Sequence, residues 1–534
     1  MNGGLSPAIR RQSLIAGLLA LLLFIAGVYA QAPIGFDSRF VLFAQEMLRH
    51  GPTVFPTTYG QPYADYSALS TLFVWLLSLP FGAVNSLAAW LPSALAGALI
   101  VTLMYRLLAP HSQRWALLSI AMLALSITFI TEVRAVSQDL MLAAVAFAVF
   151  YLGYAHDHFG AGRRWPLVFV LLLLGFGIRG PIGLVVPTGM LCSYYLLDRQ
   201  WSRFWTFGAL AAVLLAACVG LLLWLADLSG GPAFRADVIR MQFMGRMDGS
   251  EGVSGSLYYF TSSLGNYALA YPLALLALAT AWLSKPRQRG PALRLVQYCA
   301  AAGLIVMVGL SIPQAKKARY LLPMLPMAAI IAAYPFQVLH GRLFGWLRVG
   351  IQGLWLVTPG LLVVGLLVAR QRFPEALADL TVVLAVLNAL QVLALSRLFM
   401  PRWRAEVLAL SAVLAVWSMY VLVFEPVERR LYDTQAFSQA AFAEVQRNPA
   451  PLVLHGMGKD AKAIKFMVNI GQDLQPQFSE SIQELEALHG PAWLMMDLND
   501  FKALKDTPLG SLQPVLSGRF DKNDYVLLRL ESVR

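Results

Sequence analysis

Lys316, Lys317 and Arg319 crowd into the short segment PQAKKARY, which Tyr320 closes and which lies between two apolar runs. Counting apolar spans from the N-terminus puts this loop outside the cytoplasm, although cytoplasmic loops are the ones that normally collect Lys and Arg. Cations placed against that bias need an anionic partner, and a lipid-linked phosphate is the simplest candidate. The other outside loops add Asp37 and Arg39, Asp65 with Tyr63 and Tyr66, Glu132, Arg134 and Asp139, Arg179, and Arg240 with Arg246. Ionisable groups at span ends are costly unless paired or solvated, and by default they mark function. Gathered at one depth, such a set offers acids for proton transfer or acceptor positioning (Asp37, Asp65, Asp139). Its cations (Arg39, Arg179, Arg240, Arg246, Lys316, Lys317 and Arg319, beside Tyr320) suit a donor phosphate and the charge that develops as it leaves.

Each of these residues has a plainer reading. Asp37 opens an amphipathic helix pattern in GFDSRF, where the backbone dipole favours any carboxylate, so it also fits an ordinary N-cap. Asp139 in EVRAVSQDLML fits a cap too, or a partner for Arg134. Arg179 sits in FGIRGPIG, where Gly180 and Pro181 enforce a tight turn, and a snorkelling arginine is the alternative. The lysine loop could meet acidic headgroups, as Arg370 and Arg372 do on the same scheme. Asp37, Asp65 and Asp139 could hold a divalent cation through oxygen ligands, although spacing does not show one, and His50 stands alone beside Arg49. The chain has no phosphate-loop GKS/T, no HExxH and no suitable GxSxG serine elbow, which argues against a nucleotide-driven pump or a serine hydrolase.

The elements that must position these groups are membrane spans. Of 534 residues, 58% are hydrophobic and 13% charged, and the mean hydropathy is +0.63. Apolar runs long enough to span recur at roughly 13–31, 92–108, 115–131, 139–155, 165–178, 181–197, 205–227, 264–284, 295–312, 320–338, 349–368, 375–396 and 406–424, thirteen in all. The loops between them that fall inside are all basic, from Arg10 and Arg11 to Arg397, Arg402 and Arg404, which sets the N-terminus in the cytoplasm. The net charge of +12 therefore reflects topology and anionic lipid, and nucleic acid is not implied. Cys192, Cys218 and Cys299 lie inside apolar runs and read as packing residues.

Two outside loops are long, about 31–92 and 227–263; the first carries a helix pattern over 39–49 and a short apolar stretch over 69–81 that suits the interface. Residues 1–426 thus form a membrane domain. Beyond it, 427–534 turn polar, with strand-like runs at 451–455, 493–497 and 525–530 and helix-like stretches at 460–470 and 481–489, as expected of a small α/β domain outside the membrane.

The blocks FDSRFVLFAQEML, LPSALAGALIVTLMYRLLA, VRAVSQDLML, GFGIRGPIGLVVP and SIPQAKKARYLLPMLP, in that order over about residues 13–340, resemble bacterial membrane glycosyltransferases of the GT-C fold. These are the protein O-mannosyltransferase and lipid A aminoarabinose transferase superfamily; thirteen spans with a C-terminal outside domain are similar to the aminoarabinose branch. The resemblance implies a mainly α, polytopic enzyme of the bacterial inner membrane. Such an enzyme moves a pentose or hexose, with inversion, from a polyprenyl-phosphate donor to lipid A, another glycan or a protein at the periplasmic face. It also implies a catalytic acid at the start of the first-loop helix. Phe36-Asp37 stands where the family has an acidic pair, and Ala64-Asp65-Tyr66-Ser67 stands where it has Glu-Lys-Pro-Pro. The lysine of that block and the metal-binding histidine of some members have no counterpart here. A lipid-sugar flippase is the rival reading: it too needs many spans and a cationic cavity, but neither a one-sided acid–base set nor an outside domain.

Overall fold

The computed structural model describes residues 5–66, 68–160, 162, 164–249, 252–284, 290–338, 341–375, 377, 379–486, 490–505 and 507–531. Of the flanking cations read as inside, Arg163, Lys285, Arg287 and Arg289 lie outside these, as do Ser67, Glu251, His340 and the end of the 481–489 stretch.

Apolar helices dominate, and the chain is a multi-pass membrane protein. Among the described residues, eight helices from Pro7–Ala30 to Arg404–Arg447 are long and apolar enough to cross a membrane. Two further runs break. Gln113–Ala124 meets Ile127–Val133 at 76°, and Tyr258–Asn266 meets Ala270–Leu283 at 110°. The expected straight spans 115–131 and 264–284 are therefore bent. Ser126 turns extended (ψ 124°) at the first break and Leu269 takes φ +69° at the second, and hydropathy averaged over a window is blind to both. Leu69–Phe81, Trp165–Arg179, Pro181–Leu197 and Thr381–Ser396 are shorter apolar helices. The second long loop is largely helical: Trp201–Ile239 kinks at Gly231 before Pro232 and continues through a wide turn, Arg240–Met244.

The chain forms two compact units. The first comprises Met1–Val28, Tyr63–Phe73 and Trp90–Val423. Its central helix, Gln138–His158, is buried on nearly all sides, and the alanines at 143, 144, 146 and 148 let its neighbours approach. Trp165–Arg179 and Pro181–Leu197 pack on it and on each other. A Cβ on Gly183 would sit 1.8 Å from the Gly175 carbonyl oxygen, so this helix pair touches through backbone. Gly180 turns the chain between them at φ +62°, ψ −147°, a conformation L side chains avoid.

The second unit comprises Tyr29–Pro62, Val74–Ala89 and Phe424–Arg534. It holds the hairpin β1 (Thr57–Thr58) and β2 (Gln61–Pro62), and a five-stranded sheet of β3 (Leu452–His455), β4 (Gln477–Ser479), β5 (Ala492–Asp497), β6 (Leu516–Phe520) and β7 (Asn523–Leu530). The order is β4-β3-β5-β7-β6, with β4, β3 and β5 parallel and β7 antiparallel to both β5 and β6. Leu494, Met496, Val526 and Leu528 make one apolar face beneath Leu485 and Leu504. On the other, Phe437 of helix Gln435–Arg447 meets Phe520 and Tyr525. The first-loop helix, Asp37–His50, buries Phe40, Phe43 and Met47 and lies against Ala463–Met467, with Gln45 donating to the Val468 carbonyl at 3.2 Å.

Replacing Gly183 by Val must push the Pro181–Leu197 helix off its neighbour. Overpacking of this kind costs about 1–3 kcal/mol. The variant should show a lower thermal midpoint on fluorescence-detected size exclusion, whereas Gly220→Val, with open space around it, should not.

Candidate functional site

The centre of the first unit is a charged cluster where apolar helices end. Ser137 starts helix Gln138–His158: its Oγ accepts the Leu140 N–H at 3.1 Å and its hydroxyl donates to Glu132 Oε2 at 2.5 Å. Ser137, not Asp139, is therefore the N-cap. Asp139, buried in the first turn, is left for other partners. Its Oδ1 accepts Arg179 Nε at 2.9 Å, and Oδ2 pairs with Arg319 Nε at 3.1 Å. The suggested partner Arg134 instead donates to the Phe24 and Ala26 carbonyls at 2.7 and 2.8 Å, satisfying the end of the first helix.

Arg179 is almost wholly buried. Besides Asp139 it reaches Gln138 Oε1 at 3.3 Å, and its guanidinium lies between the rings of Tyr320 (5.1 Å) and Tyr66 (5.8 Å). Flat guanidinium against aromatic faces is favourable in a dry setting. Gln138 donates onward to Ser70, and Gln242 donates to the Ala64 carbonyl at 2.8 Å. Asp65 lines, with Tyr66, Arg179, Gly180 and Gln242, a cavity of about 10 Å³, roughly one water.

Arg319 also faces a larger cavity of about 400 Å³, lined by Thr128, Thr131, Glu132, Asn266 and Lys317 among others. Both helix breaks open onto it, and Thr128 bridges them by donating to the Asn266 carbonyl at 2.6 Å. The lysine loop is held around it: Tyr267 donates to the Ala318 carbonyl at 2.7 Å, and Lys316 Nζ to the Ser254 carbonyl at 3.1 Å. Lys317 and Arg319 thus line this cavity against the single carboxylate of Glu132, with hydroxyls and an amide around them, and the Arg179–Asp139 pair stands behind Arg319. Such a cavity suits an anion with a polar neighbour. Both oxygens of Asp139 meet guanidinium groups, so it is a poor metal ligand.

The structure therefore brings Asp65, Asp139, Arg179, Lys317, Arg319 and Tyr320 into one unit, around two neighbouring cavities. Glu132, Gln138 and Tyr66 complete the cluster. Glu132, a carboxylate inside the apolar run ITFITEV, and Tyr66 beside Asp65 belong to the set read from the sequence, whereas Gln138 has no such signal. Arg240, largely exposed, pairs with Asp237 at 2.9 Å. The Arg246 side chain lies outside the described residues. Asp37 and Arg39 belong to the second unit. Asp37 is the first residue of its helix, after Phe36 at the N-cap position, and Arg39 donates to the Asp460 carbonyl at 2.6 Å.

Residues 65–224 match the family described as dolichyl-phosphate-mannose-protein mannosyltransferase. No curated protein matches the chain significantly. Among solved structures, ArnT from Cupriavidus metallidurans bound to undecaprenyl phosphate is similar at TM-score 0.72 and 19% identity, covering 96% of this chain and 97% of that one. Its apo state gives TM-score 0.71 and 17% identity over 98% of each chain. The fold expected from the sequence blocks, that of the GT-C membrane glycosyltransferases, is the fold of this chain.

Breaking a buried ion pair by removing one partner costs about 3–5 kcal/mol. Asp139→Ala, which strands the buried Arg179, should lower the thermal midpoint of detergent-purified protein far more than Arg319→Gln, which leaves the Arg179–Asp139 pair intact. Equal losses would mean that the carboxylate does not anchor the cluster.

Proposed function

We propose that the protein is an inverting, polyprenyl-phosphate-dependent membrane glycosyltransferase working at the outer face of the bacterial inner membrane. The observation that carries this reading is the cation-rich polar cavity at the two helix breaks, in a fold shared with a protein solved with undecaprenyl phosphate bound. An apolar chain suits the lipid-facing helices, and a phosphate suits Lys317 and Arg319.

In the reaction an acceptor oxygen attacks the anomeric carbon and the bond from that carbon to the phosphate oxygen breaks. Polyprenyl phosphate leaves with an added negative charge. Lys317 and Arg319, with Lys316 beside them, bind the phosphate and stabilise that charge. Arg179 acts through Asp139, whose second oxygen holds Arg319 in place. Asp37, assigned on the sequence resemblance, takes the proton from an acceptor hydroxyl; if the acceptor is already a phosphate, Asp37 orients it instead. Glu132, facing the cavity and hydrogen-bonded to Ser137, is a further carboxylate able to orient a hydroxyl. The sugar is a pentose or hexose, and the acceptor is lipid A, another envelope glycan or a protein.

Purified protein in lipid nanodiscs, given radiolabelled polyprenyl-phosphate sugar and envelope extract, should transfer label to an acceptor. Asp37→Asn should lower turnover roughly 100-fold or more with protein levels unchanged. Full turnover in that variant removes the base assignment, and absence of any sugar release from the donor removes the enzyme reading.

A second measurement isolates the cations. Lys317→Ala should raise the donor KM roughly tenfold, the loss of one charge-assisted hydrogen bond, with a smaller change in acceptor KM. An unchanged donor dependence would count against the phosphate site.

A further inference from the structure

The first-loop helix Asp37–His50 carries Glu46 and His50 one turn apart on the same face. The same compact unit brings Asp473, which follows helix Ala463–Met467, up to that face. His50 Nε2 lies 2.9 Å from Asp473 Oδ2 and 4.0 Å from Glu46 Oε2, and one ligand atom from each of the three residues falls within 4.8 Å of the others. The histidine that looks isolated in the sequence is therefore one of three metal-type ligands.

Two observations separate this cluster from a surface ion pair. The Glu46 side chain is 4% exposed, and its Oε2 makes no hydrogen bond. A buried carboxylate oxygen left without a partner is costly. The other two oxygens, by contrast, are already held. Arg49 Nη1 is 3.1 Å from Asp473 Oδ1 and 3.8 Å from Glu46 Oε1. Outer oxygens fixed in this way are what orient ligating carboxylates. A simple His50–Asp473 pair would leave Glu46 Oε2 without a partner.

We propose that Glu46 Oε2, His50 Nε2 and Asp473 Oδ2 bind a divalent transition metal of the zinc class, clamping the first-loop helix to the 468–473 segment of its own unit. One imidazole with two carboxylates suits zinc better than magnesium or calcium, whose sites are all oxygen. Ligand bonds near 2.1 Å in a tetrahedron put ligand atoms about 3.4 Å apart, close to the spacings here, and the half-exposed His50 and Asp473 leave a fourth position for water. The role is structural and independent of the proposed sugar transfer.

The test uses full-length protein in detergent, stripped with a chelator and titrated with Zn²⁺ alone, with Co²⁺ as a visible-absorbing substitute. The wild type should bind about one equivalent, show a tetrahedral Co²⁺ spectrum and gain thermal stability with added Zn²⁺, as a ligand of the folded state does. His50→Ala and Asp473→Asn, both at half-exposed positions that leave the fold intact, should weaken binding at least roughly tenfold and lose the spectrum and the stabilisation. Glu444→Gln, a carboxylate elsewhere in the same unit, should leave all three unchanged. Sub-stoichiometric binding by the wild type, or binding that survives both substitutions, overturns the site.

Discussion

One carboxylate between two guanidinium groups organises the membrane unit. Asp139 stands in the first turn of a long, deeply buried helix, where the backbone dipole already favours negative charge. Its two oxygens fix Arg179 at the end of one short apolar helix and Arg319 at the start of the segment that follows the lysines. In low dielectric such a triad is tolerable only when its members are mutually satisfied, and here Gln138 and two tyrosine rings complete the surroundings of Arg179. The charge left over points to the cavity.

The cavity exists because two apolar runs stop being straight. A backbone that leaves the helix within a membrane protein must be buried in protein or line a polar space, since lipid cannot accept its hydrogen bonds. Both breaks do the latter, and Thr128 joins them through the Asn266 carbonyl. The polar lining is thus a consequence of broken helices, and Lys317, Arg319 and Glu132 give it its charge.

Much of this was legible beforehand, for reasons that can be named. The lysine loop and Arg179 stood out because cations in loops that the span count assigns to the outside run against the usual bias. Strands β3, β5 and β7 showed as apolar runs because their residues are buried in the sheet. The short β4 and the half-exposed, alternating β6, LSGRF, gave no such run. The cap at Asp139 went astray because Ser137 and Asp139 are both good caps in sequence, and only the Ser137 Oγ accepts the Leu140 N–H. Arg134 was misplaced because helical spacing suggests a neighbour on the same helix, whereas its chain turns back to two carbonyls of the first helix. Leu125–Ser126 and Leu269 hid the breaks, since composition records how apolar a run is and not where its dihedrals change.

By itself the sequence determined what depends on local chemistry summed along the chain: apolar lengths, the clustering of charge between apolar runs, the tight turn at Gly180 and the change of composition near residue 426. Only the tertiary structure decided which charges meet. Asp139 chooses Arg179 and Arg319, 40 and 180 positions away, over Arg134 nearby, and His50 finds Asp473 at the far end of the chain. Ion pairing and ligation act over a few ångströms, so partners are assigned by the path of the backbone in space, which separation along the chain does not encode.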